Sequence, residues 1–158
     1  VDRSLYRREP GDVPTVAVPV TGVALRRLTD HDDEALARLM ERAYAGTIDE
    51  PLGGSDGAVE IAGWRRRGAV AHASFVTVGP DDQPIAAALV AEGPPGTAWL
   101  SYVITDPDWK GRGLGTAVVA AALAVLPDTA VFAGVTDGNT PWERLLASLG
   151  FVRTGPLT

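Results

Sequence analysis

From Trp99 to Val135 the sequence runs through segments that few folds accept in that order. Trp99–Thr105 is rich in β-branched and aromatic residues and reads as a strand. Asp106-Pro107-Asp108 is a turn, and Lys110-Gly111-Arg112-Gly113-Leu114-Gly115-Thr116 follows it. The next segment, to about Leu126, is helical and apolar all round, with Ala117, Val118, Val119, Ala121, Leu123 and Val125. A helix without a polar face must be covered on most sides. Ala130–Val135 is then a wholly apolar run, the pattern of a buried parallel strand. Strand, glycine turn, buried helix and buried strand together make a βαβ crossover.

The remainder fits around that unit. Residues 1–21 contain Pro10, Pro14 and Pro19 and read as an extended lead-in, with room for one edge strand. The folded domain is expected over 22–158. Val23–Leu28 reads as a strand, and Thr29 or Asp30 caps a helix with Asp32, Asp33 and Glu34 in its first turn. Leu36, Leu39, Met40 and Ala43 form its buried stripe, and Gly46 stops it. A second helix is expected from a Ser55 cap to Arg67, with Val59 and Trp64 turned inward. Ser74–Val78 and Ile85–Ala91 form a hairpin around Gly79–Pro84, and Gly93–Gly96 turns into Trp99. Thr140, Pro141 and Glu143 read as cap, first helical residue and capping-box partner. Trp142, Leu145, Leu146 and Leu149 make that helix's inner stripe, Gly150 ends it and Phe151–Arg153 opens a last strand. The order is β-α-α-β-β-β-α-β-α-β, an α/β fold with a mixed sheet.

Composition narrows the function. The 158 residues suffice for one domain with its own core. There is no cysteine, which excludes a disulfide framework, a thiolate metal site and a cysteine nucleophile. Only His31 and His72 are present, so no multi-histidine metal site is expected, and His72 reads as structural. A net charge of -6 argues against nucleic-acid binding, which needs a basic face. No apolar run is long enough to span a bilayer, and no secretory signal opens the chain. A cytoplasmic protein is therefore expected. The sequence opens on Val1 without Met, which points to a trimmed chain or part of a longer one.

The glycine run carries the chemistry. A helix start has unpaired N–H groups and the positive end of the macrodipole, so an anion there gains several hydrogen bonds. Gly111, Gly113 and Gly115 let backbone approach a phosphate closely. Lys110 and Arg112 add local positive charge to an acidic chain. A tight strand-to-helix turn is the simpler alternative for the glycines alone. There is no Gly-Lys-Ser/Thr, and the placement fits dinucleotide binding poorly.

Asp106–Thr116 resembles the acetyl-CoA pyrophosphate loop of the GCN5-related N-acetyltransferase (GNAT) superfamily, whose pattern is Arg/Gln-x-x-Gly-x-Gly/Ala. Lys110 stands where Arg or Gln is usual. Asn139–Phe151, an asparagine, a helix and then Gly-Phe, resembles the superfamily's second motif. The resemblance implies a mixed sheet of about six to seven strands flanked by about four helices. It implies acetyl-CoA as cosubstrate, with no metal. Backbone at Val103, Ile104 and Thr105 would pair with the pantetheine arm, residues Lys110, Gly111, Arg112, Gly113, Leu114, Gly115 and Thr116 would hold the pyrophosphate, and Asn139 would contact the arm. Asp137-Gly138-Asn139 is also good turn chemistry by itself.

The implied activity is direct acetyl transfer to an amine of a small molecule, amino acid or peptide. The superfamily's frequent base and acid positions fall on Gly134 and Leu146, so the catalytic residues are left unassigned. Asp49, Glu50, Glu92 and Tyr102 are the candidates for the acceptor side. Ser101 and Tyr102 point to opposite faces of a regular strand, so at most one is expected in the cleft. Arg65-Arg66-Arg67 reads as compensation of a helix C-terminus, with the cofactor's terminal phosphate as a second option. The competing function is an acetyl-CoA-binding sensor or degenerate domain without efficient catalysis. Homodimers are common in the superfamily, and neither a membrane nor nucleic acid is an expected partner.

Overall fold

The computed structural model describes residues 2–13 and 15–158. Seven strands form one sheet in the order β2-β3-β4-β5-β6-β1-β7. They are β1 (Arg3–Arg8), β2 (Ala24–Arg27), β3 (Phe75–Val78), β4 (Pro84–Glu92), β5 (Thr97–Thr105), β6 (Ala130–Thr136) and β7 (Val152–Pro156). The helices are α1 (Asp33–Tyr44), a single turn α2 (Glu50–Gly53), α3 (Gly57–Arg66), α4 (Leu114–Ala124) and α5 (Thr140–Ser148). Only β5 and β6 run parallel; the other pairings are antiparallel.

Helices cover both faces. On one side α4 and α5 bury Leu114, Val118, Val119, Leu123 and Leu146 against Val90, Leu100, Val131 and Val135. On the other, Leu36, Leu39 and Met40 of α1 and Ile61 and Trp64 of α3 pack on Val76, Leu89 and Ile104. The Trp64 indole N–H is satisfied by the Val90 carbonyl at 3.1 Å. Removing such a side chain typically costs about 3–5 kcal/mol. The all-apolar α4 lies where its pattern requires, and Val13, Val16, Val18 and Val20 of the lead-in pack against its cluster.

The lead-in itself is the main departure from the sequence reading. Arg3–Arg8 is an interior strand between β6 and β7, so residues 1–21 are not a separate segment and β1 is not an edge strand. Its pattern lacks the expected apolar alternation because buried Arg8 is paid for by backbone carbonyls. Its guanidinium donates to Leu149 at 2.7 Å and Asp12 at 2.8 Å, the first at the end of α5. Three local expectations also change. Asp56, not Ser55, caps α3, its carboxylate accepting from the Val59 amide. Val59 is 59% exposed, because the buried face of α3 runs through Gly57, Ile61 and Trp64. Asn139, not Thr140, caps α5, accepting from the Trp142 amide at 3.3 Å.

Candidate functional site

The site begins where β5 and β6 part. They pair only over Thr97–Leu100 and Ala130–Ala133. Beyond that, among the described residues, no strand continues along this edge of β5. On its other edge the Asp106 amide donates to Ile85 at 2.8 Å. The same register sets Ile104 opposite Ala87 and Tyr102 opposite Leu89. Hydrogen-bonded pairs alternate in an antiparallel ladder. Ile104 and Tyr102 therefore direct their backbone groups to β4, while Val103 and Thr105 direct theirs into the gap. Of the three residues expected to pair with a pantetheine arm, Val103 and Thr105 have backbone groups open to the gap and Ile104 does not.

A cleft of about 1320 Å³ fills the gap. One end is the first turn of α4. Gly113 is its N-cap, at φ 80°, a left-handed conformation that favours glycine. The first intrahelical bond runs from the Ala117 amide to the Gly113 carbonyl. The amides of Leu114, Gly115 and Thr116 precede it and have no intrahelical acceptor. Lys110, Gly111, Gly115 and Thr116 line this end. The Leu114 side chain goes to the core instead. Arg112 is outside the cleft lining, its guanidinium 4.8 Å over the Trp109 ring.

The other end is built from side chains. Asp49 accepts from the Thr136 hydroxyl at 2.6 Å and the Asn139 side-chain amide at 2.8 Å. Asn139 thus caps α5 with its oxygen and fixes a carboxylate with its nitrogen. The Tyr102 hydroxyl donates to Glu60 at 2.5 Å. Burial, then the Glu60 hydrogen bond, pushes this phenol up to about 12. Tyr44 stands among these groups, its phenol pushed up by burial and then by Asp49 and Tyr102. Both tyrosines stay protonated at neutral pH, and Tyr102 is fixed as a donor by Glu60.

The other candidates fall out as follows. Glu92 lines the far end of the cleft and is exposed. Glu50 does not line it, because its carboxylate turns back to the Gly46 amide. Ser101 and Tyr102 both line it, against the expectation of one. Leu89 pairs with Tyr102 and Val90 with Leu100, so Ser101 is the extra residue of a β-bulge that resets the alternation. Arg65 pairs with Asp33 at 2.7 Å, whereas Arg67 lines the end near Tyr102. His72 is exposed, outside the cleft lining. Leu146 is fully buried, and Pro141, Trp142, Arg144 and Leu145 are the α5 residues that line the cleft. A Cβ at Gly134 would meet Leu157 Cδ2 at 2.7 Å and Arg3 Nη2 at 3.1 Å, so a side chain there would displace the ends of those two side chains.

Tyr44, Glu60, Thr136 and Arg3 were not legible as site residues. Glu60 had one available signal, its place on the same helix as Trp64. Arg3 and Thr136 had none, since only the β1–β6 register brings them together.

The acetyltransferase (GNAT) family matches the sequence over residues 34–151. The chain belongs to that family. Among solved structures, a GCN5-related N-acetyltransferase from Sphaerobacter thermophilus is similar at TM-score 0.70 and 18% identity, covering 98% of this chain and 49% of that one. The chain thus spans about half that protein's length. The ribosomal-protein-S18-alanine N-acetyltransferase of Escherichia coli is similar at TM-score 0.61 and 21% identity, over 81% of this chain and 76% of that one. A GNAT acetyltransferase from Brucella melitensis, solved with acetyl-CoA, follows at TM-score 0.53 and 19% identity, over 66% and 68%. No curated protein matches. At these identities the GNAT structures share a fold with this chain. No described helix is long and apolar enough to cross a membrane.

Proposed function

We propose that the chain is an acetyl-CoA-dependent N-acetyltransferase acting on an amine of a small molecule, amino acid or peptide. One observation carries the reading. A single cleft joins the uncapped start of α4, along the open edge of β5, to the carboxylates of Asp49 and Glu60. The acetyl-CoA complex of a GNAT neighbour supports the choice of cosubstrate.

The residues fit that ligand. The free amides of Leu114, Gly115 and Thr116 suit a diphosphate, with Lys110 beside them. Open backbone groups at Val103 and Thr105 suit an amide-bearing arm. Acetyl-CoA supplies a thioester whose carbonyl carbon the amine attacks and whose thiolate leaves. The protein must bring the amine there unprotonated. Asp49 takes its proton, directly or through water. Its two hydrogen bonds hold the carboxylate in place, and the lone pairs left over face an incoming ammonium. Glu60, held by Tyr102, lends further negative charge that attracts a cation. The Tyr102 hydroxyl already donates to Glu60, and its raised pKa disfavours passing that proton to the thiolate. A thiol near 8.5 leaves tolerably as its anion and takes a proton from water.

A second reading has specific support. The Arg3 guanidinium lies over Gly134 and Leu146 is core, so the family's frequent base and acid positions are empty of such groups. That favours a sensor that binds acetyl-CoA without turnover. Thiol release across an amine panel, alongside the thermal shift caused by acetyl-CoA, separates the two. Turnover supports the transferase. A shift without turnover supports the sensor. No shift removes both, since a bound ligand must raise stability by mass action.

A further inference from the structure

Three arginines that the acetyl-transfer scheme leaves unused line the cleft, Arg3, Arg67 and Arg144, and Arg3 is the one beside Thr136 and Asp49. It opens β1 opposite Thr136. Its guanidinium lies across Gly134, with Cζ 3.3 Å and Nη2 3.1 Å from where a Cβ would stand. The Nε is buried without a hydrogen-bond partner. Among the described residues Arg3 belongs to no ion pair. A guanidinium cannot shed its charge as a lysine can, so it calls for an anion or water.

Its place makes this informative. Thr136, directly across the ladder from Arg3, donates its hydroxyl to Asp49. Paired residues of such a ladder have Cα atoms about 4.5–5.5 Å apart. A fixed carboxylate and an unpaired guanidinium therefore rise from neighbouring positions without bonding each other. Both border the Tyr44 phenol, whose titration feels Asp49 and Arg3 in opposite senses. Two opposite charges with open valences, side by side in one cleft, match a ligand carrying both signs.

We infer that the acceptor is an amino carboxylate, its ammonium held at Asp49 and its carboxylate held by Arg3. This rests on the transferase reading and names the substrate class for it. A planar carboxylate suits the guanidinium fork, which binds it with two parallel hydrogen bonds. A phosphate dianion suits the site less, because Glu60 and Glu92 line the same cleft. Arg3 is then a specificity-determining residue: it selects acceptors and leaves the cofactor end alone. Gly134 is what admits it, since any larger residue there would push the guanidinium away.

The test is calorimetry on the full chain saturated with CoA. The probes are the standard amino acids, their α-amides and the corresponding decarboxylated amines. At least one free amino acid is expected to bind about 10- to 100-fold tighter than its amide and amine, the range for hydrogen bonds to a charged group. Arg3→Met is expected to level the three, Arg3→Lys to restore part of the preference, and neither to change CoA affinity. Equal binding of all three forms, no binding by any, or a preference that survives Arg3→Met overturns the inference. So does a loss of CoA affinity in Arg3→Met, which would give the guanidinium to the cofactor. Should Arg3→Met not fold, Arg3→Lys alone decides, by whether the preference shrinks. If CoA itself fails to bind, the transferase reading falls. The same titration on the free chain then tests Arg3 independently, a carboxylate preference keeping the site and its absence removing it. Binding without acetyl transfer keeps Arg3 and removes the enzyme.

Discussion

The two ends of the cleft are made of different material. From Val103 to Thr116 the wall is mostly backbone: two open strand positions and three helix-start amides, all within 14 consecutive residues. Around Asp49 the wall is side chains, drawn from β1, α1, α3, β5, β6 and the cap of α5. A backbone site recognises what all its ligands share and tolerates change in the surrounding residues. A side-chain site selects, and each residue in it would answer for a particular property of the proposed acceptor. The cofactor end therefore should fail through crowding or charge at the α4 start. The acceptor end should fail residue by residue.

The sharpest way to break this contrast is Asp49→Asn. It removes the proposed base while leaving the α4 start intact. Turnover should fall by about 10²–10⁴-fold, the usual contribution of a positioned acid–base group, with acetyl-CoA affinity unchanged. Thiol-release kinetics and calorimetry read the two effects apart. Near-normal turnover would move the base to Glu60.

Thr116→Asp addresses the other end. An acid in the first turn favours the helix dipole, so the fold should hold. The same charge opposes a diphosphate, and acetyl-CoA affinity should drop by about 100-fold, equivalent to about 2.7 kcal/mol. Gly113→Asp is a less clean probe, because its Cβ would meet Pro19 Cγ at 3.0 Å and the residue would inherit a left-handed backbone. Unchanged affinity in Thr116→Asp, measured by calorimetry, would show that phosphate does not sit on this turn.

Asn139→Ala should be milder. Losing an N-cap costs about 1 kcal/mol, readable as a lowered denaturation midpoint. It also frees one side of Asp49, so the KM for the amine should rise more than that for acetyl-CoA. Equal rises would return Asn139 to the cofactor. The smallest expected effect is alkaline. Tyr102 ionises near 10 when unfolded and near 12 when folded, so the folded state holds more protons between those values. Its contribution is complete below pH 10 and is lost as pH rises through about 12. Melting curves of Tyr102→Phe should therefore decline less over that window than those of the parent chain.

The same division separates what was legible from what was not. Both motif segments lie where their local chemistry puts them: Lys110–Thr116 opens α4, and Asn139 opens α5. Ala130–Thr136 is the parallel strand its composition called for. Arg3–Arg8 escaped because an interior strand holding Arg3, Arg7 and Arg8 has no apolar alternation. Arg8 is held partly by the Leu149 carbonyl, distant in sequence, and Arg7 lies 5.1 Å over the Phe132 ring. Ser101 escaped because a bulge is a mismatch between two strands, invisible in either one.

By itself the sequence determined the βαβ unit and the glycine loop, hence the family and the open start of α4. Both follow from interactions between residues close in the chain, where spacing translates directly into geometry. Tertiary structure alone decided the proposed acceptor end. Arg3 meets Thr136 through the register of β1 on β6, and Asp49 reaches Thr136 across 87 positions. Contacts of that kind depend on how whole elements pack. The charge pair that selects the proposed acceptor therefore becomes visible only once the sheet is assembled.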